Sequence, residues 1–383
     1  MRFLVLGGGA QGTAAAFDLL RDESVTEVLL ADLEAGEPHP CLRPHVGARL
    51  KLVEADATDT ARIATLMEGM EGVLCALPYY FNLPIAELAI ESGVHCADLG
   101  GHTAIVKQQC ALDDKARARG VSIVPDCGLA PGMVHIFAQG GIDSMDSVEA
   151  VRLWVGGLPQ RPKPPLNYEI VYSLEGMLDY YVTPATILRD GRQTTVAALS
   201  GLESVEFPTP VGRLEAFFTG GGTSTLPDRY EGRIRTLEYK TLRYPGHARI
   251  MRAIRELGLL SNEAVDYNGT RVNPRRFFID RVTPLLSGDG EGDLVVVRVD
   301  VTGTRGGEPG RIRYEVLDRH DPATGLTAMA RTTGFSLSIT ALLQARGEVR
   351  PGARTPDASI SPTRYIAELA RRGIHADVTG PPG

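Results

Sequence analysis

Residues Arg2 to Gly12 read RFLVLGGGAQG. An apolar run, Phe3 to Leu6, passes directly into Gly7-Gly8-Gly9-Ala10-Gln11-Gly12, with Gly7, Gly9 and Gly12 at the three glycine places of G-x-G-x-x-G. A short buried strand, a glycine turn and a helix start together bring backbone N–H groups to a pyrophosphate. Gly7 permits the tight turn, Gly9 lets the phosphates approach the N–H groups of Ala10 and Gln11, and Gly12 lets the helix pack close to the sheet. The next apolar run, Thr26 to Ala31, ends in Asp32, where an acid hydrogen-bonds the adenosine ribose. Leu33 and Glu34 follow, with no arginine for a 2′-phosphate, so the expected cofactor is NAD and not NADP.

Outward from this turn, the first 125 residues alternate short apolar runs with amphipathic helices. Strands are expected at Leu50–Glu54, Gly72–Ala76, Val94–Ala97 and Val121–Val124, with helices at Asn82–Ser92 and Thr103–Arg119. That order predicts a Rossmann-type doubly wound parallel sheet, whose ligand lies beyond the carboxyl ends of the strands. From about residue 147 the pattern changes. A strand over Val148–Val155 leads into a Gly/Pro-rich stretch, 156–165, read as a crossing loop. Strands at Leu214–Thr219 and Thr236–Leu242 and the alternating Val295, Val297, Val299 and Val301 predict an α+β domain with a mainly antiparallel sheet. Helices return over Thr332–Gln344 and Pro362–Arg372. The expected domains are 1–130 for the dinucleotide, 131–330 for substrate and dimerisation, and 331–383 returning to the first.

The chain has 383 residues, 43% hydrophobic and 23% charged, with a formal net charge of −7. That balance gives no electrostatic reason for a nucleic-acid or anionic-membrane partner, and no apolar run is long enough to cross a bilayer, so the expected compartment is the cytoplasm. The five cysteines fit no metal-ligand spacing and read as reduced thiols, so no metal is expected. Cys127, in a strand-end loop, is a lining residue in this reading and not a nucleophile.

The strand-end loops hold the candidate chemistry. Asp56, in ADATD, reads equally as an adenine contact and as the N-cap of the next helix. Ala76, Leu77 and Pro78 follow the fourth strand, where the nicotinamide half of the cofactor passes. Asp98, in DLGGH, and Asp126, in PDCGLAPGM, end the fifth and sixth strands, with Asp98 also placed to border the cofactor. His102 reads as a proton relay or as a helix cap.

DLGGH, PDCGLAPGM, LEAFFTGGGTSTL (Leu214–Leu226) and LEYKTLRYPGH (Leu237–His247) resemble the saccharopine dehydrogenase superfamily, and within it the lysine 6-dehydrogenase branch. VGGLPQRPKPPLNY and YSLEGMLDYY extend the likeness from Met1 to about Gly373. The resemblance implies NAD-dependent oxidative deamination of the L-lysine ε-amino group, giving a semialdehyde that cyclises to piperideine-6-carboxylate, by a homodimer. Two positions depart from the pattern: Phe218 and Gly220 stand where more polar residues are expected.

A lysine ammonium must lose a proton before its C–H can leave as hydride, and Asp126 and Asp98 are the acids placed to take it. Each also reads as a cap for the following helix. Arg243 is the candidate for the substrate carboxylate as a bidentate pair, and Lys240 for activating the water that hydrolyses the imine. A regular strand would turn Lys240 and Arg243 to opposite faces, and both also read as solvated charges. Tyr239 and His247, from the same motif, complete the implied substrate set. Thr223 and Ser224, in a glycine loop, read as a carboxylate cradle or as a plain hairpin connection. A secondary amine such as saccharopine or carboxynorspermidine is the alternative substrate, and a non-catalytic NAD sensor the third reading.

Overall fold

In the computed structural model, which describes residues 1–34, 36–288 and 292–380, the opening run is strand β1 (Arg2–Leu6) and the glycine turn leads into helix α1 (Ala10–Arg21). Then follow β2 (Glu27–Asp32), β3 (Leu50–Glu54), α2 (Thr60–Met67), β4 (Gly72–Cys75), α3 (Asn82–Ser92), β5 (His95–Asp98), α4 (Thr103–Cys110), α5 (Asp113–Arg119), β6 (Ser122–Val124) and α6 (Met133–Asp143). The six strands pair in the order β6-β5-β4-β1-β2-β3, all parallel. All but the edge strand β3 are buried on both faces at their centres, which is why they read as unbroken apolar runs. The chain order reverses between β1 and β4, and the glycine turn opens there.

The expected single helix over Thr103–Arg119 is two helices. Asp113 and Asp114 lie in the first turn of α5, where acids favour a new helix N-terminus.

The second part comprises β7 (Ser147–Pro159), α7 (Leu174–Val182), β8 (Ala185–Arg189), β9 (Arg192–Val196), β10 (Glu203–Glu206), β11 (Arg213–Phe218), α8 (Leu226–Tyr230), β12 (Thr236–Arg243), α9 (His247–Glu256), the small hairpin β13 (Val265–Tyr267) and β14 (Thr270–Val272), α10 (Pro274–Leu286), β15 (Asp293–Arg305) and β16 (Glu308–Arg319). It ends with α11 (Ala328–Ala345), β17 (Gly352–Ala353), α12 (Pro356–Ser359), α13 (Pro362–Arg371) and β18 (Ala376–Thr379). The larger sheet runs β10-β11-β12-β7-β15-β16-β18, with β8 and β9 off the β12 edge, and only β12 and β7 pair in parallel. The α/β architecture is therefore the expected one, a Rossmann-type sheet beside a mainly antiparallel one.

The crossing loop expected over 156–165 is wrong at its start, because β7 continues to Pro159. Gly156 and Gly157 are strand residues chosen for space: a Cβ on Gly156 would lie 2.8 Å from Leu242, and one on Gly157 would lie 2.5 Å from Met329.

Helix α11 ties the two sheets together. It is buried on nearly every side, as a helix of Ala, Ser, Thr, Gly and Leu can be. It packs on α1, and a Cβ on Gly334 would lie 2.6 Å from the Gln11 carbonyl oxygen. Ser338 Oγ donates to Asp18 of α1 at 2.6 Å, and Gln344 Nε2 donates to the carbonyls of Cys96 and Ser122. β17 then adds to the parallel sheet beside β6, whereas β18 joins the antiparallel one. Of the expected last segment, residues 381–383 lie outside the described ones.

Candidate active site

The glycine turn has the geometry its spacing requires. Gly7 has φ +99°, open to glycine and strained for other residues. A Cβ on Gly12 would lie 1.8 Å from the Gly7 carbonyl oxygen, so only glycine allows α1 this close to the turn. A Cβ on Gly9 would meet no protein atom within 4 Å, which leaves the approach to the first N–H groups of α1 clear. Asp32 Oδ2 accepts the Gly8 N–H at 2.5 Å, so the acid that fits a ribose also fastens the turn. Gln11 Oε1 is buried without a hydrogen-bond partner. These features fit a dinucleotide, with the N–H groups at the α1 N-terminus toward its phosphates and Asp32 toward its ribose. Asp56 is not the cap of α2. Its Oδ1 accepts from Thr58 N–H and hydroxyl at 2.8 and 2.7 Å, and Asp59 caps the helix through Arg62 N–H.

A cleft of about 670 Å³ opens between the carboxyl edge of the parallel sheet and the face of the antiparallel one. Gln11, Ala76, Leu77 and Pro78 line its cofactor side, and Tyr239, Thr241 and Arg243 of β12 line the other. The loops Leu99–Gly101 and Gly128–Pro131 close the base, where the first sheet ends.

Arg243 is the only Lys or Arg among the described lining residues. It is 3% exposed and makes no ion pair among the described residues. Its Nε donates to Tyr181 Oη at 3.1 Å, its Nη1 donates to the Leu242 carbonyl at 2.9 Å, and the guanidinium lies over the Tyr168 ring. Nη2 has no partner among the described residues and is the donor left for a ligand. The expected bidentate grip is therefore corrected, because Tyr181 holds Nε and the Gly157 and Leu242 carbonyls hold Nη1. His247 lies off the cleft. Its Nε2 is 2.9 Å from Tyr181 Oη and its Nδ1 2.9 Å from the Leu166 carbonyl. Burial and the Arg243 charge push its pKa down to about 3, so the ring is neutral. Neutral His247 with its proton on Nδ1 donates to Leu166 and accepts from Tyr181, whose oxygen receives the Arg243 N–H. His247 thus positions Arg243 and touches no ligand.

Lys240 does not reach the cleft. β12 stays regular to Arg243, so Lys240 projects from the opposite face, where it pairs with Glu203 at 3.0 Å and lies over the Phe218 ring at 4.8 Å. Phe218, the first departure from the family pattern, is on that far face too. Gly220, the second, does line the cleft, and a Cβ there would lie 2.9 Å from Thr183.

The two acids also separate. Asp98 is fully buried and is not among the described residues lining the cleft. Its Oδ1 accepts from Gly100 N–H at 2.7 Å and Asn82 Nδ2 at 3.0 Å, and its Oδ2 accepts from Gln109 Nε2 at 2.6 Å. Burial raises its pKa to about 6, but its oxygens are committed to three donors that fix the β5 loop. It is a structural acid, neither a base nor a cofactor contact, and it does not cap α4.

Asp126 sits in the left-handed region at φ 62°. Its Oδ2 accepts from Ser224 Oγ at 2.5 Å and its Oδ1 is buried without a partner. Desolvation, reinforced by the Asp98 and Asp357 charges, raises its pKa to about 8, against the lowering effect of the Ser224 hydrogen bond. A Cβ on Gly100 would lie 1.9 Å from Oδ1, so the missing side chain of a cleft-lining glycine makes room for that oxygen.

Ser224 therefore serves Asp126, and Thr223 donates to the Thr186 carbonyl at 2.8 Å. Neither lines the main cleft, so their hydroxyls are not its carboxylate cradle, although Gly220 and Gly222 of the same loop line it. His102 occupies the N-cap place of α4 without a side-chain cap bond, and stacks on Tyr79 with centroids 5.1 Å apart. Cys127 is buried with its Sγ 3.0 Å from the Val124 carbonyl, and burial raises its pKa, which suits a packing thiol.

Helix α7 supplies lining residues to which the sequence assigned no role: Glu175, Gly176, Asp179 and Tyr180. Their signal was two acids one turn apart inside an otherwise apolar helix, SLEGMLDYY.

Residues 3–124 match the saccharopine dehydrogenase NADP binding domain, and residues 128–374 match the saccharopine dehydrogenase C-terminal domain. The chain belongs to the saccharopine dehydrogenase family. Its first domain is accordingly a nicotinamide-dinucleotide-binding domain. Mouse mitochondrial alpha-aminoadipic semialdehyde synthase is 25% identical over 288 residues, covering 71% of this chain and 30% of that protein. Baker's yeast saccharopine dehydrogenase [NADP(+), L-glutamate-forming] is 24% identical over 223 residues, covering 56% of this chain and 49% of that one. The matched stretches span less than half the length of these relatives. Among solved structures, the apo yeast saccharopine dehydrogenase (L-Glu forming) matches with TM-score 0.81 at 18% identity, covering 99% of both chains. The Legionella pneumophila homospermidine synthase, in complex with NAD, matches with TM-score 0.71 at 14% identity, covering 99% of this chain and 91% of that one. At these identities the likeness is one of fold.

Proposed function

We propose that the protein is an NAD-dependent dehydrogenase that oxidatively deaminates the ε-amino group of L-lysine. The observation that carries this reading is the charge of the cleft. It offers one buried cation, Arg243, and one lining acid, Glu175, the other, Asp179, being paired with Arg275 at 2.7 Å, which suits a substrate with a single carboxylate. Saccharopine carries three carboxylates, and two of them would enter without a lining cation beside them.

In this reading Arg243 Nη2 meets the substrate α-carboxylate, and the Tyr181–His247 pair keeps the guanidinium aimed. The lysine side chain then runs toward the nicotinamide beside Ala76–Pro78 and the Gly100 base of the cleft, behind which Asp126 Oδ1 lies. Asp126 takes the proton from the ε-ammonium. Its pKa of about 8 narrows the gap to an ordinary lysine, roughly 10.4, to a step a catalytic base can manage. Held by the glycine turn and Asp32, NAD would supply the oxidant for Cε. With Lys240 on the wrong face, Asp126 is also the group assigned to take the proton from the water that attacks the imine.

Asp32 supports NAD over NADP, although the matching family domain is described as NADP-binding, because a 2′-phosphate would approach its carboxylate with no lysine or arginine in Leu33 or Glu34 to offset it. The test is a screen of L-lysine, saccharopine and carboxynorspermidine with each cofactor. L-lysine and NAD are expected to give NADH, ammonia and the cyclised semialdehyde. Reduction of cofactor by saccharopine and not by L-lysine would overturn the reading.

A further inference from the structure

Beyond the main cleft lies a second cavity, of about 410 Å³. It shares Tyr79, Gly101, Asp179 and Tyr180 with the cleft as a common wall. Its lining is largely polar: His102, Thr183, Thr186, Gln193 and Ser224, with Lys107 paired to Asp228 at 2.8 Å. Ser224 lines this cavity and not the cleft, whereas Gly100 lines the cleft and not this cavity. Asp126 lies between the two, with Oδ1 behind Gly100 and Oδ2 on the Ser224 hydroxyl.

The proposed reaction, on which this inference rests, needs such an arrangement. A lysine ammonium, NAD and water become aldehyde, ammonium and NADH, and charge balance leaves one proton per turnover. The proton comes from the substrate ammonium, and substrate and cofactor fill the cleft while it is taken up. Ser224 Oγ is the only hydrogen-bond partner of the Asp126 carboxyl among the described residues. We propose that Ser224 is the proton exit of the site, passing the proton from Asp126 Oδ2 through its hydroxyl to water in the second cavity. In that step the Asp126 O–H bond breaks as Ser224 Oγ accepts its proton, and the former Ser224 proton moves to water in the cavity. His102, exposed on the cavity wall, is the first side-chain acceptor beyond that water.

The negative charges around the pair hold the proton on Asp126 until an acceptor takes it. Asp98 and Asp357 act on Asp126 as negative charges, and Tyr180 and Cys110 face it from α7 and α4. Asp179 is held by Arg275 at 2.7 Å, and Lys107 by Asp228, so the bases of the second cavity are water and His102.

Ser224→Ala removes the exit and keeps the fold volume, and Ser224→Cys returns a transferable proton. In stopped flow at pH 9 with L-lysine and NAD, absorbance follows NADH and an indicator dye follows the released proton. For Ser224→Ala proton release and steady-state turnover are expected to slow about tenfold or more relative to the first NADH, and to be partly restored by Ser224→Cys. A second readout needs no substrate: hydrogen–deuterium exchange of the protonated-carboxyl infrared band that Asp126→Asn removes. Exchange slowed in Ser224→Ala supports the exit. Dye and NADH rising together at wild-type rate in Ser224→Ala, or unchanged exchange, overturns it. Absence of NADH from L-lysine in the wild type overturns the substrate reading instead, and the infrared exchange then decides the exit by itself.

Discussion

Arg243 and Lys240 stand three residues apart on one strand and illustrate what a charge becomes once its face is known. Arg243→Ala removes the only basic group of the cleft lining. The KM for L-lysine is expected to rise roughly ten- to hundredfold, the size of a hydrogen bond to a charged group, with the KM for NAD unchanged. Equal losses in both would point to misfolding. Lys240→Met is expected to leave kcat within about twofold and to cost about 1 kcal/mol in a denaturant melt, since its partner Glu203 is half-exposed and such pairs contribute little. Asp126 ties activity to stability. Its carboxyl titrates at about 8 in the folded chain against an ordinary 3.8, so the native state binds that proton more tightly than the unfolded one and loses stability as pH rises through about 8. Asp126→Asn is therefore expected to abolish turnover yet raise Tm above the wild type at pH 9, with the gap closing toward pH 4. A gap independent of pH would remove the buried-charge account. For the wild type, kcat/KM should climb with pH through the same value as the base loses its proton.

Elements carry the next level of cause. The run RFLVLGGGAQG was legible because each glycine answers to backbone geometry alone: φ at Gly7, contact at Gly12, approach at Gly9. Gly9→Ala tests that division. Its added methyl meets no protein atom within 4 Å, so Tm should hold while NADH binding, followed by fluorescence, weakens at least about tenfold as the phosphates lose their approach. A matching fall in Tm would make Gly9 a packing residue. Strand β12 was legible as a strand, and the odd step of three residues already separated Lys240 from Arg243. What spacing could not supply was whether the strand bends near Pro245, and only the pairing to β7 and β11 answers that. The β8–β9 hairpin carried a signal that went unread: Asp190-Gly191 between two short runs, with φ of 50° and 77°, is the turn such residues favour. Asp98 and Asp126 could not be told apart by sequence. Both end parallel strands, and the difference lies in Asn82 and Gln109 reaching one while Ser224, from the other half of the chain, reaches the other.

At the scale of the whole molecule, the site exists because α11 holds two sheets against each other. Its Gly334 touches the turn that faces the phosphates, its Thr333 and Met329 line the cleft, and its Ser338 reaches Asp18, which also pairs with Arg372 at 2.7 Å. In the proposed reaction the parallel sheet would bring the oxidant and the antiparallel sheet the carboxylate anchor, with the carbon to be oxidised between them. That juxtaposition of long-range partners is what local patterns do not encode. The measurement closest to it uses L-lysine deuterated at both Cε positions with NAD. The account predicts one deuterium on the reduced nicotinamide ring, one in the aldehyde product and a slowed hydride step. Reduced cofactor free of deuterium, or labelled only when the α-carbon carries the isotope, would contradict it.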